Sequence, residues 1–203
     1  MQIDCHRLGV GLALLIFGAA SVGAADNKPQ YEIGETQIPH ATPDEPVRTD
    51  LSVNKAQVYL ELGARAWSSQ QKCISCHTNG TYLIVRPSLV PSLGKPNTSQ
   101  REFFLETLKV MAVEGKEKLS VSTRPASLIY LAAGLAEWDA HITQMLSPET
   151  AQALELMFSI QTDEGTWGTL DCWPPYESDA YHEATVAMMA AATAPGWLAK
   201  VEE

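Results

Sequence analysis

From Ser52 onward the apolar positions recur every three or four residues, the spacing of one face of an α-helix. Ala56, Tyr59, Leu60, Gly63, Ala64 and Trp67 mark the first such face, which runs directly into Cys73. Thr78-Asn79-Gly80 interrupts the pattern, and a short apolar run from Tyr82 to Val85 is stopped by Pro87 and Pro91. Ser99 with Glu102 predicts a capping box that opens a helix through about Lys118. Phe103, Phe104, Leu108, Met111 and Ala112 are its expected buried face. Pro125 suits a first helical turn, and Ala126, Ile129, Tyr130, Ala133 and Leu135 carry that helix to about His141. Ser147-Pro148-Glu149 combines an N-cap, a first-turn proline and a first-turn acid, opening a helix to Gln161. Ser178 or Asp179 caps the last helix, which Pro195-Gly196 stops. No stretch sustains period-two alternation, so the pattern predicts an all-α fold of antiparallel helical hairpins with almost no sheet.

The first 51 residues follow other rules. Arg7 precedes an apolar run from Leu8 to Ala20, and Gly23-Ala24-Ala25 offers small residues for cleavage. Residues 1–25 therefore read as a signal peptide, with an uncleaved anchor as the alternative. The run is short and glycine-bearing for a membrane span, and Cys5 lies ahead of it, away from a lipoprotein position. Residues 26–51 are polar, with Pro29, Pro39, Pro43 and Pro46, and form an extended arm in which His40 is solvated. Residues 52–203 then make one helical domain, long enough for a real core. The net charge of −10 argues against nucleic acid and anionic membrane, and favours a redox partner with a basic patch.

Cys73-Ile74-Ser75-Cys76-His77 carries the chemistry. Two thiols and an imidazole at this spacing match the attachment motif of c-type haem. On a helix they would share one face, with the thiols directed at the two vinyl groups and His77 as proximal iron ligand. A thioredoxin-type pair would need a strand before it and a helix after it, and a zinc site would need a second ligand pair. Neither context is visible. Because bacterial haem attachment of this type takes place outside the cytoplasm, the leader and the motif agree on a periplasmic or otherwise exported protein. If one haem takes Cys73 and Cys76, Cys172 is left without a disulfide partner.

A second ending resembles a known repeat. Ala153 to Trp167 reads as a helix that ends in Gln161 and is followed by Gly165-Thr166-Trp167. This resembles the "QW" motif of the squalene–hopene cyclase and prenyltransferase α/α-toroid superfamily, in which the glutamine caps the next turn and the tryptophan packs on a neighbouring hairpin. The earlier stretch, Leu60 to His77, has Gln70-Gln71 followed by the haem motif in place of Gly-x-Trp. Over about residues 52–197 the chain is similar to exported bacterial proteins that carry Cys-x-x-Cys-His in a squalene-cyclase-like toroid. The shared features are the Trp67 helix, Thr81-Tyr82-Leu83 followed by Arg86-Pro87, and Pro174-Pro175-Tyr176-Glu177-Ser178-Asp179. The resemblance implies a partial toroid, since complete ones need about five to seven hairpins. It also implies self-association or packing against a further helical-repeat protein.

The same superfamily contains enzymes. Class II cyclases use an Asp-x-Asp-Asp acid that this sequence lacks. Prenyltransferases bind zinc through Asp, Cys and His, and Asp171, Cys172 and His182 supply those types at a departing spacing. Cys172 between Trp167 and Trp173 reads better as a small apolar residue. The sixth haem ligand separates the remaining functions. Candidates are His182 first, then His141 and Met145, with Met111, Met157, Met188 and Met189 besides; Met188 and Met189 lie in an Ala-rich helix and read first as core. A His or Met ligand makes an electron carrier or redox sensor, whereas an open position admits small molecules. The alternatives are a haem-assisted enzyme acting on a hydrophobic, isoprenoid-like ligand, and a scaffold in which haem is a staple.

Overall fold

The structure is a computed structural model in which residues 42–44, 46–167 and 180–201 are described. The signal peptide, most of the arm, His40, Asp171, Cys172, Trp173, the Pro174-Pro175 segment and the Ser178/Asp179 cap lie outside the described residues. Among the described residues every regular element is helical. The order is α1 (Val53–Gln70), α2 (Asn79–Val85), a 3-10 turn (Pro87–Leu89), α3 (Val90–Leu93), α4 (Ser99–Ala112) and α5 (Lys116–Leu119). Then come α6 (Arg124–Trp138), a π-helical turn (Asp139–Thr143), α7 (Pro148–Ser159), α8 (Ala180–Thr193) and α9 (Trp197–Val201). The described residues of the arm, 42–44 and 46–51, form no helix.

The core is built around α6. A helix that is apolar on all sides belongs in an interior, and Ser127 through Ala136 are all buried, together with Trp138. Pro125 stands in its first turn, where a missing N–H costs nothing. α2, α4, α7 and α8 surround it. Leu128, Leu131 and Leu135 are each at most 1% exposed, and each such side chain contributes roughly 1.5–3 kcal/mol by leaving water. Two glycines let α2 and α6 approach closely. A Cβ on Gly134 would lie 3.0–3.1 Å from the Leu83 side chain, and one on Gly80 would meet the Ser75 carbonyl oxygen at 2.5 Å and the Tyr130 ring at 3.0 Å.

Several boundaries depart from the sequence pattern. The capping box at Ser99 does not form. Asn97 Oδ1 already accepts from the Ser99 amide at 2.8 Å, so Thr98 is helical and its hydroxyl donates to Glu102 Oε1 at 2.7 Å. α4 ends at Ala112 because Gly115 is extended (φ −71°, ψ 153°), and α5 restarts beyond it. Ala112 is exposed, while Phe104, Leu108 and Met111 are buried and Phe103 packs at the edge of the core. The helix expected to reach His141 changes pitch at Asp139. Its buried carboxylate accepts from Thr143 Oγ1 at 3.0 Å and from the Ser147 amide and hydroxyl at 2.7 and 2.6 Å. That pull widens the last turn and delivers Ser147 as the N-cap of α7, where its Oγ accepts from the Thr150 amide. The stop at Pro195-Gly196 holds, with Gly196 at φ +67°, but α9 follows it.

The turn after α7 has the local form its residues predict. Gln161 Nε2 donates to the Gly165 carbonyl at 3.0 Å, and Gly165 takes φ +85°, a conformation glycine adopts without cost. Trp167 is 1% exposed, donates Nε1–H to the Met157 carbonyl at 2.7 Å and meets Phe158 edge to face.

Candidate functional site

The Cys73–His77 motif lies in the loop between α1 and α2, so its expected helical face is not formed. Lys72, at φ +52°, turns the chain out of α1, and the next helix begins only at Asn79. Where a helix would satisfy the backbone internally, here a buried polar network does so. Asn79 is 0% exposed. Its Oδ1 accepts from the Ser75 amide at 2.9 Å, and its Nδ2 donates to the Cys73 carbonyl at 3.0 Å and to Ser68 Oγ at 2.9 Å. Ser68 Oγ in turn donates to Gln100 Oε1 of α4 at 2.9 Å. Ser127 Oγ of α6 donates to the Ile74 carbonyl at 2.9 Å, and the Gly80 amide to the Ser75 carbonyl at 3.0 Å. The His77 amide donates to Ser75 Oγ at 3.3 Å, and Thr81 Oγ1 to the Cys76 carbonyl. Ile74 inserts into the core at 4% exposure. The loop is thus anchored through Ile74 and directs Cys73, Cys76 and His77 outward.

The three motif side chains are accessible. Cys73 and His77 are exposed, Cys76 is half-buried, and neither cysteine is in a disulfide. The Trp67 ring stands edge to face with His77, their centroids 5.2 Å apart at 79°. This contact fixes the imidazole against the end of α1.

His77 opens onto a groove of about 420 Å³ between α1 and α2, within the usual range of about 300–1,000 Å³ for small-molecule and cofactor sites. One wall is the apolar face of α1, with Val53, Ala56, Tyr59, Leu60 and Gly63; the other carries Thr78, Tyr82, Val85 and Arg86, with Leu89 and Leu93 beyond. The face of α1 that the sequence pattern marks as core is therefore largely this wall. Tyr59 and Leu60 are 51% and 53% exposed, and burial begins only at Ala64. A Cβ placed on Gly63 would have nothing within 4 Å, so the space beside it belongs to the groove.

The polar side of the groove is unusual. Thr78 Oγ1 and Arg86 Nε and Nη1 are buried without a hydrogen bond in good geometry, and the buried Tyr82 hydroxyl interacts with the side chains of Glu61 and Arg86. Burial, and next the negative charge of Glu61, pushes the Tyr82 hydroxyl up to about 12, so it stays a protonated donor. The sequence pattern does not single out Ser68, Gln100 or Ser127; it marks Asn79 only as part of a break, Tyr82 as the start of an apolar run and Arg86 as part of a resemblance. The i, i+4, i+8 spacing of Thr78, Tyr82 and Arg86 is the signal that points to them.

The other candidates are elsewhere. His182 is on α8, where its Nε2 is 2.8 Å from Tyr130 Oη and its ring stacks on that tyrosine. His141 pairs with Glu137 at 3.2 Å. Met111 and Met157 are in the core, and Met145, Met188 and Met189 are exposed. None of these lines the groove beside His77. Among the described residues no group of three or more His, Cys, Asp or Glu gathers around a point where a metal ion could sit. A haem asks less of the protein: one iron ligand, two thiols and an apolar surface for the macrocycle. His77, Cys73, Cys76 and the α1 wall fit those demands, and the unmatched donors of α2 fit an acidic edge.

No protein-family model matches the chain, and neither a curated protein nor a solved structure matches it. The chemistry therefore rests on these residues alone.

Asn79→Leu is expected to destabilise the fold by roughly 3 kcal/mol in urea unfolding, because the Ser75 amide and Cys73 carbonyl lose their buried partner. Gly63→Ala is expected to stabilise it by about 0.5–1 kcal/mol, as replacement of an unobstructed mid-helix glycine does.

Proposed function

We propose that this chain is an exported, periplasmic monohaem c-type protein that serves electron transfer or redox sensing. One haem c is joined through thioethers at Cys73 and Cys76, with His77 as proximal ligand to the iron. The observation that supports this most is the juxtaposition of the motif with an apolar groove: His77 and the exposed face of α1 border the same space. When bound, haem supplies a one-electron iron couple. The protein's own contributions are attachment, orientation and burial. Each thiol adds its S–H across a porphyrin vinyl group, a step in which nothing is oxidised and nothing leaves. The anchored loop holds both sulfurs at fixed places, and Trp67 restrains the His77 ring. The apolar wall of α1 would keep water from a haem bound in the groove, and so would raise the cost of its more highly charged oxidised form.

The helical hairpins are proposed to be part of an α/α toroid. The capped turn from Gln161 to Gly165 and the buried Trp167 support that assignment. A net charge of −10 suits a redox partner with a basic patch. Met188, Met189 and Leu198 are exposed along α8 and α9, and suit self-association or a further helical-repeat protein packed against that end.

A second reading is favoured by the groove lining. Among the described residues that line it, His77 is the one histidine and there is no methionine, so the iron would keep an exchangeable sixth position for a small molecule or for chemistry on an apolar ligand.

Cys76→Ala is expected to abolish haem staining of the chain after denaturing electrophoresis; staining equal to the wild type would overturn covalent attachment at this motif. For the carrier, carbon monoxide is expected to leave the reduced absorption spectrum unchanged. Rapid carbon monoxide binding would instead establish the exchangeable site.

A further inference from the structure

Helix α2 and its flanking residues place three side chains with buried polar atoms on one side, of which Thr78 Oγ1 and Arg86 Nε and Nη1 have no hydrogen bond in good geometry. Thr78, Tyr82 and Arg86 follow each other at intervals of four, so they form a single row along the groove. At the helical rise, the row runs about 12 Å away from the haem motif. Arg86 ends it. It is 4% exposed, and its Nη2 donates to the Leu93 carbonyl at 3.3 Å, but its Nε and Nη1 make no hydrogen bond. Among the described residues no carboxylate lies within ion-pair distance of it. A guanidinium withdrawn from water without a counter-charge is costly, and such groups are otherwise found paired. Glu61 does not fill this role. It acts on Tyr82 and accepts from Gln57 Nε2 at 2.7 Å.

The groove is therefore two-sided: apolar on α1, and lined on α2 with donors that end in a cation. It suits a flat apolar ligand with a carboxylate at the edge far from His77. We propose that Arg86 is the binding residue for a haem propionate, and that Tyr82 donates to the same carboxylate. This rests on covalent haem at Cys73 and Cys76, which it deepens by assigning the opposite edge of the macrocycle. The pairing supplies the counter-charge that the buried guanidinium lacks. It also places a fixed positive charge beside the haem, which disfavours the ferric state. Arg86 would thereby raise the midpoint potential, acting on the iron through the propionate.

The test uses the full-length chain matured with haem, and compares wild type with Arg86→Met, Arg86→Lys and Tyr82→Phe. Haem staining after denaturation reports attachment separately; loss of stain in the wild type would overturn the functional reading, and this assignment with it. With attachment intact, Arg86→Met is expected to lower the midpoint potential at neutral pH and to shift the propionate-bending band in the resonance Raman spectrum. Arg86→Lys should retain most of the potential yet shift the band, because charge is kept and the planar donor geometry is not. Tyr82→Phe should shift the band with a smaller change in potential. These last two variants carry the test if Arg86→Met does not fold. A propionate band and potential unchanged in the haem-loaded variants would overturn the proposal.

Discussion

The arrangement of the motif loop depends on one buried side chain. Asn79 stands at the start of α2, and its amide reaches back to hold the Cys73 carbonyl and the Ser75 amide while tying both to Ser68 on α1. A loop that runs between two packed helices must satisfy its backbone somewhere. Here Ser127 of α6 bonds the loop backbone as well, while Ser68 of α1 and Gln100 of α4 extend the network behind Asn79. Every element that touches the motif is thereby referenced to the same point. The reactive side chains can face outward because the backbone beneath them is held from several sides. The strength of such a network lies in its completeness, as a half-satisfied one would be worse than none.

Helix α2 is short, yet it serves two surroundings at once. Gly80 and Leu83 turn toward α6; the Ser75 carbonyl leaves no room for a Cβ at Gly80, and the Leu83 side chain leaves little at Gly134. Thr78, Tyr82 and Arg86 turn the other way, into the groove. The packed side fixes the position of the polar side to the tolerance of a protein interior. Polar groups on a loop could relax toward one another or toward water. On a helix wedged against the most buried element of the fold they are held in a fixed row along the groove.

The fold class is legible in the sequence because helical periodicity is local and strong. The apolar character of α6, Pro125 in its first turn and Ser147 as the cap of α7 are all as the sequence predicts. The departures are features decided by distant partners. Asn79 looks like a helix breaker in sequence, and becomes a helix-starting residue only because its amide has partners brought by α1 and the motif loop. Asp139 widens a helical turn through Ser147, eight residues on. The face of α1 is apolar as its period says, but most of it is not core, since period alone does not say whether a stripe meets protein or ligand. The motif residues are legible by type and spacing, but their placement in a loop is not, because spacing alone does not distinguish a helix from a turn held by side chains.

The burial pattern of α1 sets how order spreads through this part of the chain. From Ala64 to Gln70 the helix is bound to α2, α4 and the polar network; from Val53 to Gly63 it stands over the groove with little beneath it. A helical stretch shorter than about 12 residues is marginal in water without a packing surface. Whatever fills the groove supplies that surface. Occupancy and the helicity of the first turns of α1 are thus two descriptions of one equilibrium, linked by mass action.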